Sequence, residues 1–187
     1  MKKICAMMFF AATLVIGSSS AFAQVMKENP MVGGAAMYPS KTIVDNAVNS
    51  ADHTTLVAAV KAAGLVETLS SKGPFTVFAP TNAAFDRLPA GTVDTLLKPE
   101  NKEMLAKVLT YHVLSGKYDS KVLASLIKKG HGKTQLKTVS GDFLTAMMSG
   151  GNLVLRDEKG GTSMVTIGNV YQSNGVIHVV NAVLLPN

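Results

Sequence analysis

The spacing of apolar residues changes at Gly132, and this change constrains the fold more than any other feature of the chain. Before it, apolar residues recur three and four positions apart, which predicts helices over residues 56–63 and from Met104 to near Ser115. Residues 75–79, between two prolines, are the one strand-like run in this half. After Gly132, short apolar runs are separated by Gly, Asp, Asn and Ser, as in consecutive antiparallel hairpins. This order predicts an α+β domain and not an alternating βαβ sheet.

The first 23 residues have the features of a secretory signal peptide. Lys2 and Lys3 precede an apolar run over residues 4–16, and small residues occupy positions 21 and 23. The run is shorter than the ~20 apolar residues that span a bilayer, so a membrane span is not expected. We therefore expect a mature chain that begins at Gln24 and is secreted, either into the periplasm or out of the cell.

Charge and cysteine content exclude several classes of function. The full chain carries 18 Lys and Arg against 12 Asp and Glu, and losing the two lysines of the signal peptide lowers the net charge from +6 to +4. This mild excess does not favour a nucleic-acid partner. The only cysteine, Cys5, leaves with the signal peptide, so disulfides and thiol catalysis are not expected. The histidines lack the spacing of zinc motifs, so neither a metal site nor a cofactor is predicted.

Much of the basic excess lies in one stretch of the sequence. We interpret this stretch as a solvated basic surface that favours acidic polysaccharides or anionic envelope surfaces. Its six lysines are Lys117, Lys121, Lys128, Lys129, Lys133 and Lys137.

Residues 24–40 contain two prolines and an adjacent pair of glycines without sustained periodicity, so they are predicted to be a flexible arm. The arm carries Met26, Met31 and Met37, and exposed thioethers are suitable ligands for Cu(I). The alternative is that a loose segment tolerates adaptable apolar side chains. Copper binding by the arm is therefore kept as a second hypothesis.

Three segments, in this order and spacing, resemble the fasciclin domain, a secreted adhesion and interaction module of bacteria, plants and animals. Residues 75–85 (FTVFAPTNAAF) are similar to its first homology box, residues 110–114 (TYHVL) to its tyrosine-histidine motif, and residues 174–186 (NGVIHVVNAVLLP) to its second box. The resemblance implies one fasciclin domain over residues 41–187. Its fold would be an N-terminal helical cluster packed on a wedge of mostly antiparallel strands.

The resemblance also implies an interaction motif at Tyr111 and His112, because this motif has been tied to integrin-type receptors in animal members. From the residues alone, His112 lies on an apolar helical stripe and is better explained as a partly buried, hydrogen-bonded structural histidine. A second receptor motif of the family has an acid where this chain has Asn169, so integrin binding through that position is not expected.

The expected function is a secreted, non-enzymatic interaction or adhesion module that binds a protein or polysaccharide at the cell surface or in the extracellular matrix. No set of nucleophile, base and orienting group can be named from the sequence. The alternative is a periplasmic protein that binds a small molecule in a crevice between helices and sheet, or Cu(I) on the methionine arm.

Overall fold

The computed structural model describes residues 30–187, so the predicted signal peptide, Cys5 and Met26 lie outside the described residues. The α-helices are α1 (Ile43–Ala47), α2 (Thr54–Ala63), α3 (Val66–Ser70), α4 (Asn82–Phe85), α5 (Thr92–Leu97), α6 (Lys102–Tyr111) and α7 (Ser120–Lys129). The strands are β1 (Met31–Val32), β2 (Ala35–Ala36), β3 (Phe75–Pro80), β4 (Val113–Ser115), β5 (Lys133–Lys137), β6 (Phe143–Ser149), β7 (Asn152–Arg156), β8 (Thr162–Gln172) and β9 (Gly175–Val180).

Seven strands form one sheet in the order β4-β3-β9-β8-β7-β6-β5. Neighbouring strands are antiparallel except β3 and β9, which are parallel. Beyond β5, the Val139 amide donates a hydrogen bond of 2.8 Å to the Val113 carbonyl of β4, so the two ends of the sheet approach each other and nearly close a barrel. The prediction of an α+β fold, with helices first and mostly antiparallel strands after them, is confirmed.

Strand β4 is the main local difference from the sequence prediction, which places a helix from Met104 to near Ser115. The helix ends at Tyr111, and Val113 pairs with Val77 of β3. The carbonyl of His112 accepts a hydrogen bond of 2.9 Å from the Phe78 amide. Pairing with β3 therefore overrides the apolar helical spacing, since it satisfies backbone groups that are buried at this point.

Strands β3 and β9 separate two hydrophobic cores, because successive side chains of a strand point to opposite faces. Val77 and Ile177 face the helical cluster and join a core with α1, α2, α3, α5 and α6. Phe78 and Val180 face the other way, into a core that the hairpin strands and α7 enclose. The two homology boxes, which contain β3 and β9, therefore each contribute side chains to both hydrophobic cores.

Residues of the predicted flexible arm are folded onto the domain. Val32 and Met37 are buried in the first core, and β1 pairs with β2. The Asn46 side chain holds the segment by donating to the Tyr38 carbonyl at 2.8 Å and accepting from the Tyr38 amide at 3.0 Å. The arm prediction therefore does not hold for residues 31–38, because apolar burial and these hydrogen bonds offset the loss of chain entropy.

Asn174, in the turn between β8 and β9, ties the helical cluster to the sheet. Its side-chain oxygen accepts a hydrogen bond of 3.0 Å from the Ile43 amide at the start of α1. Its nitrogen donates to the carbonyls of Leu69 and Ser71, at 2.8 and 2.9 Å. This buried amide satisfies three backbone groups at the ends of α1 and α3.

Candidate functional site

Tyr111, the first residue of the proposed interaction motif, is fully buried, with 0% of its surface exposed. It is the last residue of α6, and its hydroxyl donates a hydrogen bond of 2.8 Å to the Phe143 carbonyl at the start of β6. Burial raises the pKa of Tyr111 to about 12, so the phenol is neutral at any physiological pH. The side chain connects the helical cluster to the outer hairpins.

His112, the second residue of the motif, is 3% exposed. Its Nδ1 lies 2.8 Å from the Val108 carbonyl, and its Nε2 lies 3.0 Å from the Leu184 amide. The carbonyl can only accept and the amide can only donate, which assigns the neutral tautomer with the proton on Nδ1. Burial lowers the pKa of His112 to about 4, although the Val108 carbonyl and the charge of Asp157 act in the opposite direction.

The structure therefore corrects the assignment of Tyr111 and His112 as contact residues. Both rings lie in the interior and are hydrogen-bonded to backbone groups, so neither offers surface to a partner. A role of the pair in binding would have to act through the elements that it holds together, which are α6, β6 and the segment after β9.

Asn169, where the second receptor motif would place an acid, lies in an irregular part of β8 with a left-handed φ of 61°. Its side-chain oxygen accepts a hydrogen bond of 2.8 Å from the Ser120 amide at the start of α7. His178 is buried and holds the segment just before α7, because its Nε2 donates a hydrogen bond of 2.8 Å to the Tyr118 carbonyl. Burial lowers the pKa of His178. These residues position α7 and serve a structural purpose.

The methionine arm does not assemble a copper site from the residues that are described. Met31 is 59% exposed, whereas Met37 is 5% exposed and packs in the first core. Met26 lies outside the described residues. Among residues 30–187, no three His, Cys, Asp or Glu side chains are grouped so that they could hold a metal ion. Copper binding through Met37 would require the N-terminal hairpin to detach from the core.

The six lysines of the predicted basic surface are all exposed, but they do not form one face. Leu136 of β5 packs in the second core with Leu123 and Ile127 of α7, so the helix lies on the inner side of this strand. Lys133 and Lys137 alternate with Leu136 and point to the opposite, outer side. Lys121, Lys128 and Lys129 belong to the helix surface. Lys117 precedes the helix, and its Nζ lies 4.9 Å from the ring centre of Tyr171.

The outer side of β5, β6 and β7 forms an open face with cations and neutral polar groups. Gln135, Thr145 and Arg156 are direct cross-strand partners and make a polar row over three strands. Lys133 and Lys137 flank this row on β5. We call the outer sheet face the set Lys133, Gln135, Lys137, Phe143, Thr145, Met147 and Arg156.

An open groove of about 510 Å³ follows the polar row and is lined in part by Lys133 and Arg156. Two acids also line it, but both are engaged by the fold. Asp157 accepts hydrogen bonds from the amides of Gly161 and Leu185, at 2.6 and 3.1 Å. Glu158 accepts from the amide of Phe143 and from the side chain of Asn187. Lys133, Lys137 and Arg156 form no salt bridge with another residue in 30–187.

A sequence model of the fasciclin domain matches residues 51–186. The chain belongs to the fasciclin domain family. The match lies within the range 41–187 that the sequence predicted. The first box forms β3 and α4, the tyrosine-histidine motif ends α6, and the second box forms β9 and the segment after it. In this fasciclin domain the matching segments build the core and the joints between elements.

Similar proteins support the same assignment. Protein sll1483 of Synechocystis is 45% identical over 163 residues, which cover 87% of this chain and 83% of the relative. The cell surface glycolipoprotein MPB83 of Mycobacterium bovis is 33% identical over 173 residues, which cover 88% and 70% of the two chains.

A solved structure has the same fold, with a TM-score of 0.70 at 18% identity. It is a fasciclin domain pair from the insect cell adhesion molecule Fasciclin I, and the match covers 78% of this chain and 51% of that one. Within the part of this fasciclin domain that the structure describes, no helix has the length and apolarity needed to cross a bilayer.

Sequence reasoning did not select Gln135, Phe143, Thr145 or Arg156 as site residues. A partial signal in the sequence is the alternation of polar and apolar residues along each strand, as in Gln135-Leu136-Lys137 and Leu144-Thr145-Ala146, which places Gln135 and Thr145 opposite the apolar face. Which strands are neighbours, and therefore which residues form a row, follows from the pairing of β5, β6 and β7.

Proposed function

We propose that this fasciclin domain is a secreted, non-enzymatic attachment module that binds an acidic polysaccharide at the cell surface or in the extracellular matrix through its outer sheet face. The main support for this proposal is the polar row of Gln135, Thr145 and Arg156, which lies along an open groove. Two cations, Lys133 and Lys137, lie beside this row.

The chemistry of the face suits an acidic polymer. Neighbouring strands lie about 5 Å apart, so Arg156 and the lysines of β5 can contact acidic groups at several points of an extended chain. Gln135 and Thr145 offer hydrogen-bond donors and acceptors to sugar hydroxyls. Phe143 is 43% exposed and supplies apolar surface for the C–H side of a sugar ring.

A surface location is supported by the relatives, since MPB83 is named a cell surface glycolipoprotein. The signal-peptide features of residues 1–23 support export of this chain to the periplasm or beyond.

A non-enzymatic role is supported by the burial and the hydrogen-bond partners of the histidines. His112 and His178 are held by backbone groups, and burial lowers the pKa of both rings. Neither histidine contacts a hydroxyl nucleophile in the described hydrogen bonds. His53 does contact the Ser50 hydroxyl, at 2.8 Å, but both residues are buried. This pair has no surface on which a substrate could react.

The test is binding of the mature domain to immobilised polygalacturonate, with neutral dextran as the uncharged polymer. We expect retention on polygalacturonate only, and retention should weaken as salt is raised. We expect binding to weaken at least about tenfold in the triple variant Lys133→Gln, Lys137→Gln, Arg156→Gln. The reason is that each exposed cation contributes roughly 0.5 kcal/mol or more to the binding free energy.

The matched control is Lys72→Gln, Lys98→Gln, Lys102→Gln, which removes the same charge from other exposed positions. This control should bind like the unmodified domain. If both triple variants lost the same amount of polygalacturonate binding, the effect would come from net charge alone. That result would refute the outer sheet face as the binding site. Equal retention on polygalacturonate and dextran, or retention on neither, would refute the proposed acidic polysaccharide.

A further inference from the structure

An apolar crevice opens in the helical cluster, on the opposite side of β3 and β9 from the second core. Its lips are half-buried valines on three helices, Val44 of α1, Val57 of α2 and Val66 of α3. Its floor includes Val77 of β3 and Leu109 of α6. The free space inside is about 40 Å³, a few times what one water molecule requires.

The walls of the crevice offer almost no hydrogen bonds. The lining residues other than Lys61 and His112 are apolar, and both ring nitrogens of His112 are already bonded to backbone groups. A water molecule needs two or more polar partners to be stable in such a place, so the crevice favours an apolar occupant.

Lys61 is the only charged residue among those that line the crevice. It lies one turn after Val57 on α2, so its side chain stands beside the same lip. Lys61 is exposed and forms no salt bridge with another residue in 30–187. An apolar interior with one cation at the rim is complementary to an apolar chain with an anionic end.

We infer that this crevice binds the hydrocarbon chain of a fatty acid, with the carboxylate beside Lys61. A free space of about 40 Å³ favours a single methylene chain over a bulkier ring system. The site is independent of the outer sheet face, so attachment to a polysaccharide and binding of a fatty acid can each fail without the other.

Calorimetric titration of the mature domain with hexanoate, octanoate, decanoate and dodecanoate tests the crevice. We expect the affinity to rise about fourfold for each methylene that enters, which corresponds to about 0.8 kcal/mol, and to level off once the crevice is filled. Absence of binding, or an affinity that does not depend on chain length, would overturn the inference.

Substitutions at the lips test the location. Val57→Phe, and separately Val66→Phe, should block the entrance and weaken dodecanoate binding at least about tenfold. Val122→Phe, at an exposed valine of α7, is the matched control and should bind normally. Urea unfolding of each variant identifies those that are folded. If both lip variants fold and bind like the unmodified domain, the ligand lies elsewhere.

The head group is tested by Lys61→Gln with Lys129→Gln as control. Lys61→Gln should weaken dodecanoate about two- to fivefold at low salt and leave the neutral dodecanol unchanged, as expected for an exposed ion pair. Lys129→Gln should change neither affinity. An equal effect of Lys61→Gln on dodecanoate and dodecanol would refute the contact between Lys61 and the carboxylate.

Discussion

Acidification should destabilise this domain through His112, which is neutral and buried between the Val108 carbonyl and the Leu184 amide. Its pKa is about 4 in the folded state and about 6.5 when the chain is unfolded. Between these values the unfolded chain binds a proton that the folded chain does not, so stability falls as the pH falls. The stabilisation is complete above pH 6.5 and is lost on the way down to pH 4.

The magnitude follows from the two pKa values. The full loss below pH 4 is about 3 kcal/mol, at 1.36 kcal/mol per pKa unit, and the loss from pH 7 to pH 5 is about 2 kcal/mol. This is a large fraction of the stability of a typical domain. His53 and His178, whose pKa values burial also lowers, add to the acid sensitivity.

The assay is urea unfolding at pH 7 and pH 5 for the unmodified domain, His112→Gln and, as control, His131→Asn at an exposed position. Contributions of His53 and His178 cancel when the variants are compared. His112→Gln should be less stable at pH 7 but should lose about 2 kcal/mol less than the other two between pH 7 and pH 5. A difference below about 0.5 kcal/mol would refute the reasoning. If His112→Gln does not fold, NMR titration of the unmodified domain replaces it, and a His112 ring that titrates near pH 6.5 would be the contradicting result.

Three further outcomes follow from named contacts. Asn174→Ala should lower the free energy of unfolding in urea by at least about 3 kcal/mol, because three buried backbone groups lose their partner. The control Asn152→Ala, at an exposed position, should lower it by less than about 0.5 kcal/mol. Tyr111→Phe should cost about 1 to 3 kcal/mol in the same assay, and no loss would show that the bond to the Phe143 carbonyl is unimportant. A chain that begins at Lys41 should be about 3 kcal/mol or more less stable than one that begins at Gln24, since Val32 and Met37 no longer cover the core. Equal melting temperatures of the two chains would support the flexible arm instead.

The fold could be predicted from the sequence where a hydrophobic period persists over several turns or along a whole strand. The helix that begins at Lys102, strand β3 and the hairpins after Gly132 all have such a period. Strand β4 could not be predicted, because its three residues continue the helical spacing and only pairing with β3 makes them extended. The N-terminal hairpin could not be predicted either, since Val32 and Met37 show no period and become core residues only through distant neighbours.

For the candidate site, the sequence by itself determined that the chain is basic, lacks cysteine after position 5 and carries lysines close together between positions 117 and 137. Tertiary structure decided how those lysines divide, because side chains alternate along β5 while α7 covers only its inner side. It also decided that Tyr111 and His112 are interior residues, since the elements that bury them come from parts of the chain more than 30 residues away. Local composition is a property of neighbours in sequence, whereas exposure and the shape of a surface depend on neighbours in space.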